Sequence, residues 1–403
     1  MGVGSFRTLS RTKTLVLVVF ISTLTIFLGV YVSLMQRDSG KESLTVVSTE
    51  TCIGQPPGPP SVDCYAKILD FDSPVGFWTT MREVDYMVSS PQHRHFQVVC
   101  HEVTHKIGKK AAEVFQDFQH LYKTTPSSAC MNGLQHGLLE FELSTMPTDV
   151  FASTGRDLCK NKFNHEDRCL HLLAHLAVQR SPVGRLEDRM DLARKICGPD
   201  PVYTEPEMVS LNLIYRCFDG AYMEASTQIR RATGETVFNG DPLKFCSSLR
   251  ETAPIEASAC TYQMANILYS STFSAQSSVD ACIAAGLETS RAFSELCLVS
   301  VLNYIAIDTE DPVSSSREVC QTLGPRRDDC EAGYARSIKT MLGWDAADEF
   351  CEQMRSPADC KVLYRRPVWV EYRTASGIGN IVDYLESLDS KNAYAGEAPS
   401  LVD

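Results

Sequence analysis

The sequence predicts an all-α fold, a disulfide-stapled solenoid of helical hairpins with one amino-terminal transmembrane helix. Three observations carry that expectation. An uncharged run of 22 residues stands near the amino terminus. Beyond it, apolar residues recur with helical rather than strand periodicity. Sixteen cysteines, all past the uncharged run, mark out a regular spacing.

The composition is globular, 44% hydrophobic and 22% charged over 403 residues, and leaves ample chain to bury a core. The formal net charge of -12 argues against a phosphate-backbone binder, which needs a basic surface to displace counterions. Nucleic acid is therefore not an expected partner.

The uncharged run from Thr14 to Met35 has the length a helix needs to cross a hydrocarbon core. Arg7, Arg11 and Lys13 precede it, whereas Arg37 and Lys41 beyond it alternate with Asp38 and Glu42. That bias places residues 1–13 in the cytosol, residues 14–35 in the membrane and the bulk of the chain on the extracytoplasmic side, periplasmic, lumenal or extracellular. The run exceeds a cleaved signal's apolar core, and no small-x-small site closes it, so it reads as an uncleaved anchor. An even number of cysteines fits an oxidising compartment, which agrees with that topology.

Residues 36–63 read as a linker, ending in Gly54-Gln55-Pro56-Pro57-Gly58-Pro59-Pro60, a composition that favours extended backbone. Cys52 and Cys64 close a local loop across it. Residues 64–366 form the helical repeat domain. Its first segments are short; Ser90-Pro91 then supplies a cap and a first-turn proline for a helix expected to run to about Phe115.

From there Cys100, Cys130, Cys169, Cys217, Cys260, Cys297, Cys330 and Cys360 each lie near the start of an apolar-periodic segment. Their mean spacing of about 37 residues is that of a helix-turn-helix repeat. Pro91, Pro126, Pro206, Pro254, Pro325 and Pro357 precede six of these inner helices. A second cysteine set falls late in the preceding segments. It gives the pairs Cys159 with Cys169, Cys197 with Cys217, Cys246 with Cys260, Cys282 with Cys297, Cys320 with Cys330 and Cys351 with Cys360. In an antiparallel hairpin the end of one helix faces the start of the next, so each pair can meet bridge geometry. Cys100 and Cys130 are left over, and are expected to tie the first two inner helices together. Each staple contributes on the order of 3 kcal/mol by loop entropy.

This stapled pattern, carried by segments such as Val319-Cys320-Gln321-Thr322-Leu323-Gly324-Pro325 continuing to Cys330-Glu331-Ala332-Gly333-Tyr334, resembles the cysteine-rich secreted members of the Sel1-like repeat family, relatives of the tetratricopeptide repeats. The likeness covers about residues 147–366. It implies a right-handed superhelix whose concave face binds a protein or peptide partner. Residues 367–403 read as a tail, with a short strand or packed extended piece at Val368–Tyr372, a last amphipathic turn at Ile381–Leu388, and a loose end from Asn392.

All nine histidines fall between His93 and His175, in the His-rich part of the repeat domain, residues 91–180. Taking each inner cysteine as origin, positions plus two and plus six lie one helical turn apart on one face. The plus-six row reads His136, His175, Met223, Asn266, Asn303, Arg336 and Arg366, and the plus-two row includes His171, Asp219 and Tyr262. In the first copy the pair is His101 and His105. Imidazoles four apart are a bidentate platform. His101, His105, His136, His171 and His175 on three stacked helices would bind a transition metal, zinc, copper or iron, with Met223 favouring copper if it joins them. His93, His95, His120 and His165 read as surface or cap residues, and Glu140 and Glu142 as a solvated helix edge. The competing reading makes the five inner histidines ordinary interior residues, with Gly133, Gly137, Gly220 and Gly333 letting helices approach.

His101-Glu102-Val103-Thr104-His105 also resembles the His-Glu-x-x-His signature of zincin metalloproteases. That likeness implies zinc on His101 and His105, Glu102 as catalytic base, and His136 or Glu140 as third ligand. Three functional classes follow: a metal-binding protein, redox-active through its metal; a zinc hydrolase using Glu102; and a metal-free scaffold binding through its concave groove. Arg336 and Arg366 read as a solvated end of that groove, suited to an acidic peptide.

Overall fold

A computed structural model describes residues from 51 to 384 with breaks, the longest at 53–58, 125–129, 161–165 and 232–239. The expected membrane run, residues 14–35, lies outside the described residues. No described helix is long and apolar enough to cross a membrane. The chain divides into two units at Ile68. In the first, the Cys52–Cys64 bridge closes the expected loop onto helix α1 (Pro59–Ile68).

The second unit is helical almost throughout. Helix α2 (Pro74–Ser89) starts at a proline behind Ser73, whose hydroxyl accepts from Gly76 N at 3.2 Å. Next come α3 (Arg94–Val114), α4 (Phe118–Thr124), α5 (Gly133–Ser144), α6 (Glu166–Arg180), α7 (Leu186–Cys197) and α8 (Met208–Arg231). The remainder are α9 (Pro242–Leu249), α10 (Pro254–Thr272), α11 (Ala275–Glu288), α12 (Arg291–Asp308), α13 (Pro312–Gln321), α14 (Arg327–Leu342), α15 (Trp344–Glu352) and α16 (Pro357–Tyr364). Helix α3 ends where its periodicity predicts but begins at Arg94, with His93 as a cap residue that makes no side-chain cap bond.

The inner helices pack on one another in chain order: α3 on α5, α5 on α6, α6 on α8, then α10, α12, α14 and α16. Such a stack buries a helix on more than one side, which α6 shows. Leu170, Leu172, Leu173, Ala174, Leu176, Ala177 and Val178 are all buried, so that over this stretch only His171 and His175 are polar, and they turn to buried carboxylates. Asp241 and Asp311 cap outer helices α9 and α13, each ahead of a first-turn proline.

All six expected hairpin staples are present, as is the loop closure at Cys52–Cys64, with Cα separations of 5.4 to 5.7 Å. The seventh expected cross-link within the repeats is not made. Cys100 and Cys130 are buried free thiols, neighbours joined through a hydrogen bond rather than a bridge. Cys130 adopts φ +54°, a left-handed turn that sets its thiol and its carbonyl toward α3.

The carboxy-terminal region departs from a plain tail. Strand β2 (Glu371–Thr374) pairs antiparallel with β3 (Gly377–Asn380), and β1 (Val202–Tyr203) joins β2 in parallel, Val202 opposite Arg373. Glu371 is buried and accepts from Nε and Nη2 along one edge of Arg250, at 2.6 and 3.1 Å, together with the Ser290 hydroxyl at 2.9 Å. Val368, Val370 and Ile381 are fully buried. This hairpin is therefore docked on the repeats, and a short helical turn follows at residues 381–384.

Candidate metal centre

The five inner histidines are gathered by backbone contact. A Cβ placed on Gly137 would lie 1.9 Å from His105 O, one on Gly133 would lie 2.3 Å from His101 O, and one on Gly220 would lie 1.9 Å from His171 O. Each of these glycines touches the helix turn that carries a histidine. Only the absence of a side chain lets α3 meet α5, and α6 meet α8, at that distance. The glycines thus serve the histidine arrangement rather than compete with it as an explanation.

The rings converge around His136. Its centroid lies 5.1 Å from that of His101, 6.3 Å from His105 and 5.3 Å from His171, while His101 and His105 stand 6.3 Å apart. An imidazole bound at about 2.0–2.1 Å puts its ring centre about 3.2 Å from the ion. Two ligands on one ion therefore have centroids from about 4.5 Å apart at a right angle to about 6.4 Å in line. Each pair taken alone falls in that range, but the two 6.3 Å pairs would each have to lie nearly in line, so His101, His105 and His136 cannot all bind one ion as they stand. In keeping with this, no three His, Cys, Asp or Glu side chains among the described residues are drawn together as closely as a bound ion holds its ligands.

Carboxylates stand behind the imidazoles. Glu140 Oε2 is 2.7 Å from His105 Nε2, Asp219 Oδ2 is 3.2 Å from His171 Nδ1, and Glu224 Oε2 is 3.1 Å from His175 Nε2. All three carboxylates are buried. His101 Nδ1 lies 3.1 Å from the carbonyl oxygen of Cys130. A carbonyl only accepts, so Nδ1 carries the proton and Nε2 keeps its lone pair.

The close pairs are not well-aligned hydrogen bonds. His105 Nε2, Glu140 Oε2 and His171 Nδ1 are buried atoms with no aligned partner among the described residues, and so is His175 Nδ1. Their other partners hold the carboxylates in place. Lys109 pairs with Glu140, Gln263 and Arg216 donate to Asp219 at 2.5 and 3.2 Å, and Gln228 donates to Glu224 at 2.8 Å.

The electrostatics follow from this crowding. Burial, then the charges of His101, His171, His105 and His175, hold His136 well below the usual imidazole range. Burial and the neighbouring imidazoles, His105 first, bring His175 down to about 3. Burial alone would raise Glu140, but His105 and then Lys109 bring it down to about 2. Asp219 is lowered in the same way: burial would raise it, but His171, then Arg216 and Gln263, together outweigh burial. His136 and His175 are thus held neutral beside the ionised Glu140 and Asp219, the protonation states that bind cations.

Glu102 is exposed, whereas Glu140, expected to edge into solvent, is buried against His105. Met223 is half-buried, and Glu224 beside it is the residue that meets His175. His120 is exposed, His93 and His95 are half-buried, and His165 lies outside the described residues. Asp219 and Glu224 were not singled out by sequence reasoning. Asp219 was legible in the plus-two row, but Glu224 sits one residue past the plus-six position.

No family model, no curated protein and no solved structure matches this chain.

Proposed function

We propose that this chain is a helical-repeat metalloprotein, anchored by residues 14–35 with its repeats extracytoplasmic, whose first three inner helices hold a transition metal through His101, His105, His136, His171 and His175. The observation that carries this reading is the gathering of His101, His105 and His171 around His136, with His175 held against Glu224, with Glu140 and Asp219 behind the rings, and with buried ring and carboxylate atoms left unaligned. A nitrogen and oxygen donor set suits zinc, iron or copper(II) better than copper(I), since Glu224 rather than Met223 faces the cluster. The His105 side chain is 22% exposed, so the centre has an open side and suits metal-dependent chemistry, redox among it, on a small molecule entering from the concave face. When bound, the metal would supply Lewis-acid or electron-transfer capacity; the chain orients the imidazoles through its carboxylates and keeps His136 and His175 neutral.

Elemental analysis of the purified full-length protein tests this, with His136→Ala beside it and circular dichroism to confirm folding. The expected result is about one ion per chain, lost in the variant. Failure to bind added zinc, iron or copper, or metal content indifferent to His136, would overturn it.

A further inference from the structure

The polar inner face continues past the histidines, and Asp219 joins the two stretches. On one side it meets His171; on the other its charge reaches Tyr215 on α8 and Tyr262 on α10. Arg336, on α14, lies within electrostatic reach of the same two tyrosines, and Asn266 stands one helical turn beyond Tyr262 on α10. Its Nη2 donates to Leu363 O at 3.2 Å and Arg366 O at 2.7 Å. Among the described residues no carboxylate pairs with it, and its Nε and Nη1 edge has no acceptor.

A guanidinium taken partly out of water without a counter-anion is unfavourable, and a bound anion would relieve it. The surroundings carry the same deficit. Tyr215 is fully buried, and its hydroxyl has no hydrogen-bond partner among the described residues. Asn266 is likewise fully buried. Its Nδ2 donates to the Tyr304 hydroxyl at 3.0 Å, but its Oδ1 has no partner among the described residues. Buried polar atoms are rarely left this way unless something else satisfies them. Arg216 is already neutralised by Asp219 at 3.2 Å, so Arg336 offers one uncompensated charge and a planar fork. That combination matches a carboxylate better than a phosphate dianion.

We propose that Arg336, Tyr215, Tyr262 and Asn266 form a binding site for the carboxylate of a small organic acid, on the groove side of the histidine cluster. The guanidinium fork takes the carboxylate oxygens, and the Tyr215 and Tyr262 hydroxyls donate to them. Asn266 Oδ1 accepts from a hydroxyl of the ligand. The site goes beyond the metal reading and does not need an ion to be present.

Calorimetric titration of the full-length protein tests it, with lactate and succinate as probes and inorganic phosphate and a glutamate-rich peptide beside them. The expected result is saturable binding of lactate or succinate, weakened about tenfold or more in Arg336→Gln. Tyr262→Phe, which removes one hydroxyl and little volume, should weaken it about threefold or more while leaving the fold intact. His136→Ala should keep it, which separates this site's failure from the metal's. Binding of phosphate alone, binding of the peptide alone, no binding of either acid, or binding indifferent to both groove variants would overturn the proposal.

Discussion

A Cβ on Gly137 would sit 1.9 Å from the carbonyl oxygen of His105, so the residue next to one central imidazole is in backbone contact with the residue that bears another. Backbone cannot swing aside as a side chain can, and Gly137→Ala must push α3 and α5 apart. Overpacking of this kind costs about 1–3 kcal/mol. Urea unfolding should show that loss, and metal content should fall with it as the rings separate. Gly220→Ala, which would press on His171 O in the same way, should behave alike. Parental stability and metal content in both variants would mean the glycines are incidental.

Glu224 is buried 3.1 Å from His175 Nε2, and Gln228 steadies it from the other side. Glu224→Gln keeps the shape and removes the charge that orients the ring and raises its basicity. Partners of this kind typically contribute about 10–100-fold to metal affinity. Competition with a chromophoric chelator should show a loss in that range without a change in helix content. An affinity equal to the parent's would remove Glu224 from the centre.

The staples were legible because cysteine spacing encodes hairpin geometry directly, and Cys351 pairing with Cys360 needs nothing beyond that local geometry. The histidine convergence was legible for a related reason: stacked helices in one register bring plus-two and plus-six positions together. The carboxylates were legible only in part, Asp219 as a member of the plus-two row and Glu140 as a zincin-like ligand. Glu140 lies one turn from His136 on the same face, yet a glutamate late in an amphipathic helix reads as solvated until the neighbouring helix that covers it is known. Glu224 breaks the row by one residue, as small rotations of a helix in its stack allow. The docking of Glu371 onto Arg250, 121 residues away, is a long-range pairing that no local pattern announces.

Burial and neighbouring imidazoles hold His136 well below its ordinary 6.5 and bring His175 down to about 3. In the unfolded chain both titrate near 6.5, so between about 3 and 6.5 the unfolded state binds more protons than the folded state. The stability from keeping them neutral is therefore full above 6.5 and is lost as pH falls from there toward 3. Each contributes a slope of up to about 1.4 kcal/mol per pH unit within that window. Glu140, at about 2, titrates below it. Unfolding of chelator-treated protein should weaken on acidification from about pH 7 to about pH 5, and His136→Asn and His175→Asn should each flatten the trend. A slope indifferent to both would mean that the folded cluster takes up protons freely.

Cys100 and Cys130 are each 5% exposed and unbridged, in a chain whose other fourteen cysteines are paired. Burial, and then the hydrogen bond and charge of Cys100, push the Cys130 thiol up. Alkylation requires thiolate and access, and both are withheld here. The native protein treated with iodoacetamide in the absence of reductant should therefore stay unlabelled. The same treatment in denaturant should label two thiols per chain, and peptide mapping should place them at Cys100 and Cys130. Cys130 also presents the carbonyl that fixes the His101 tautomer, so a bridge to Cys100 would bear directly on that ring. If denaturation exposes no thiol, the pair is oxidised and the first two inner helices are cross-linked beside the histidines.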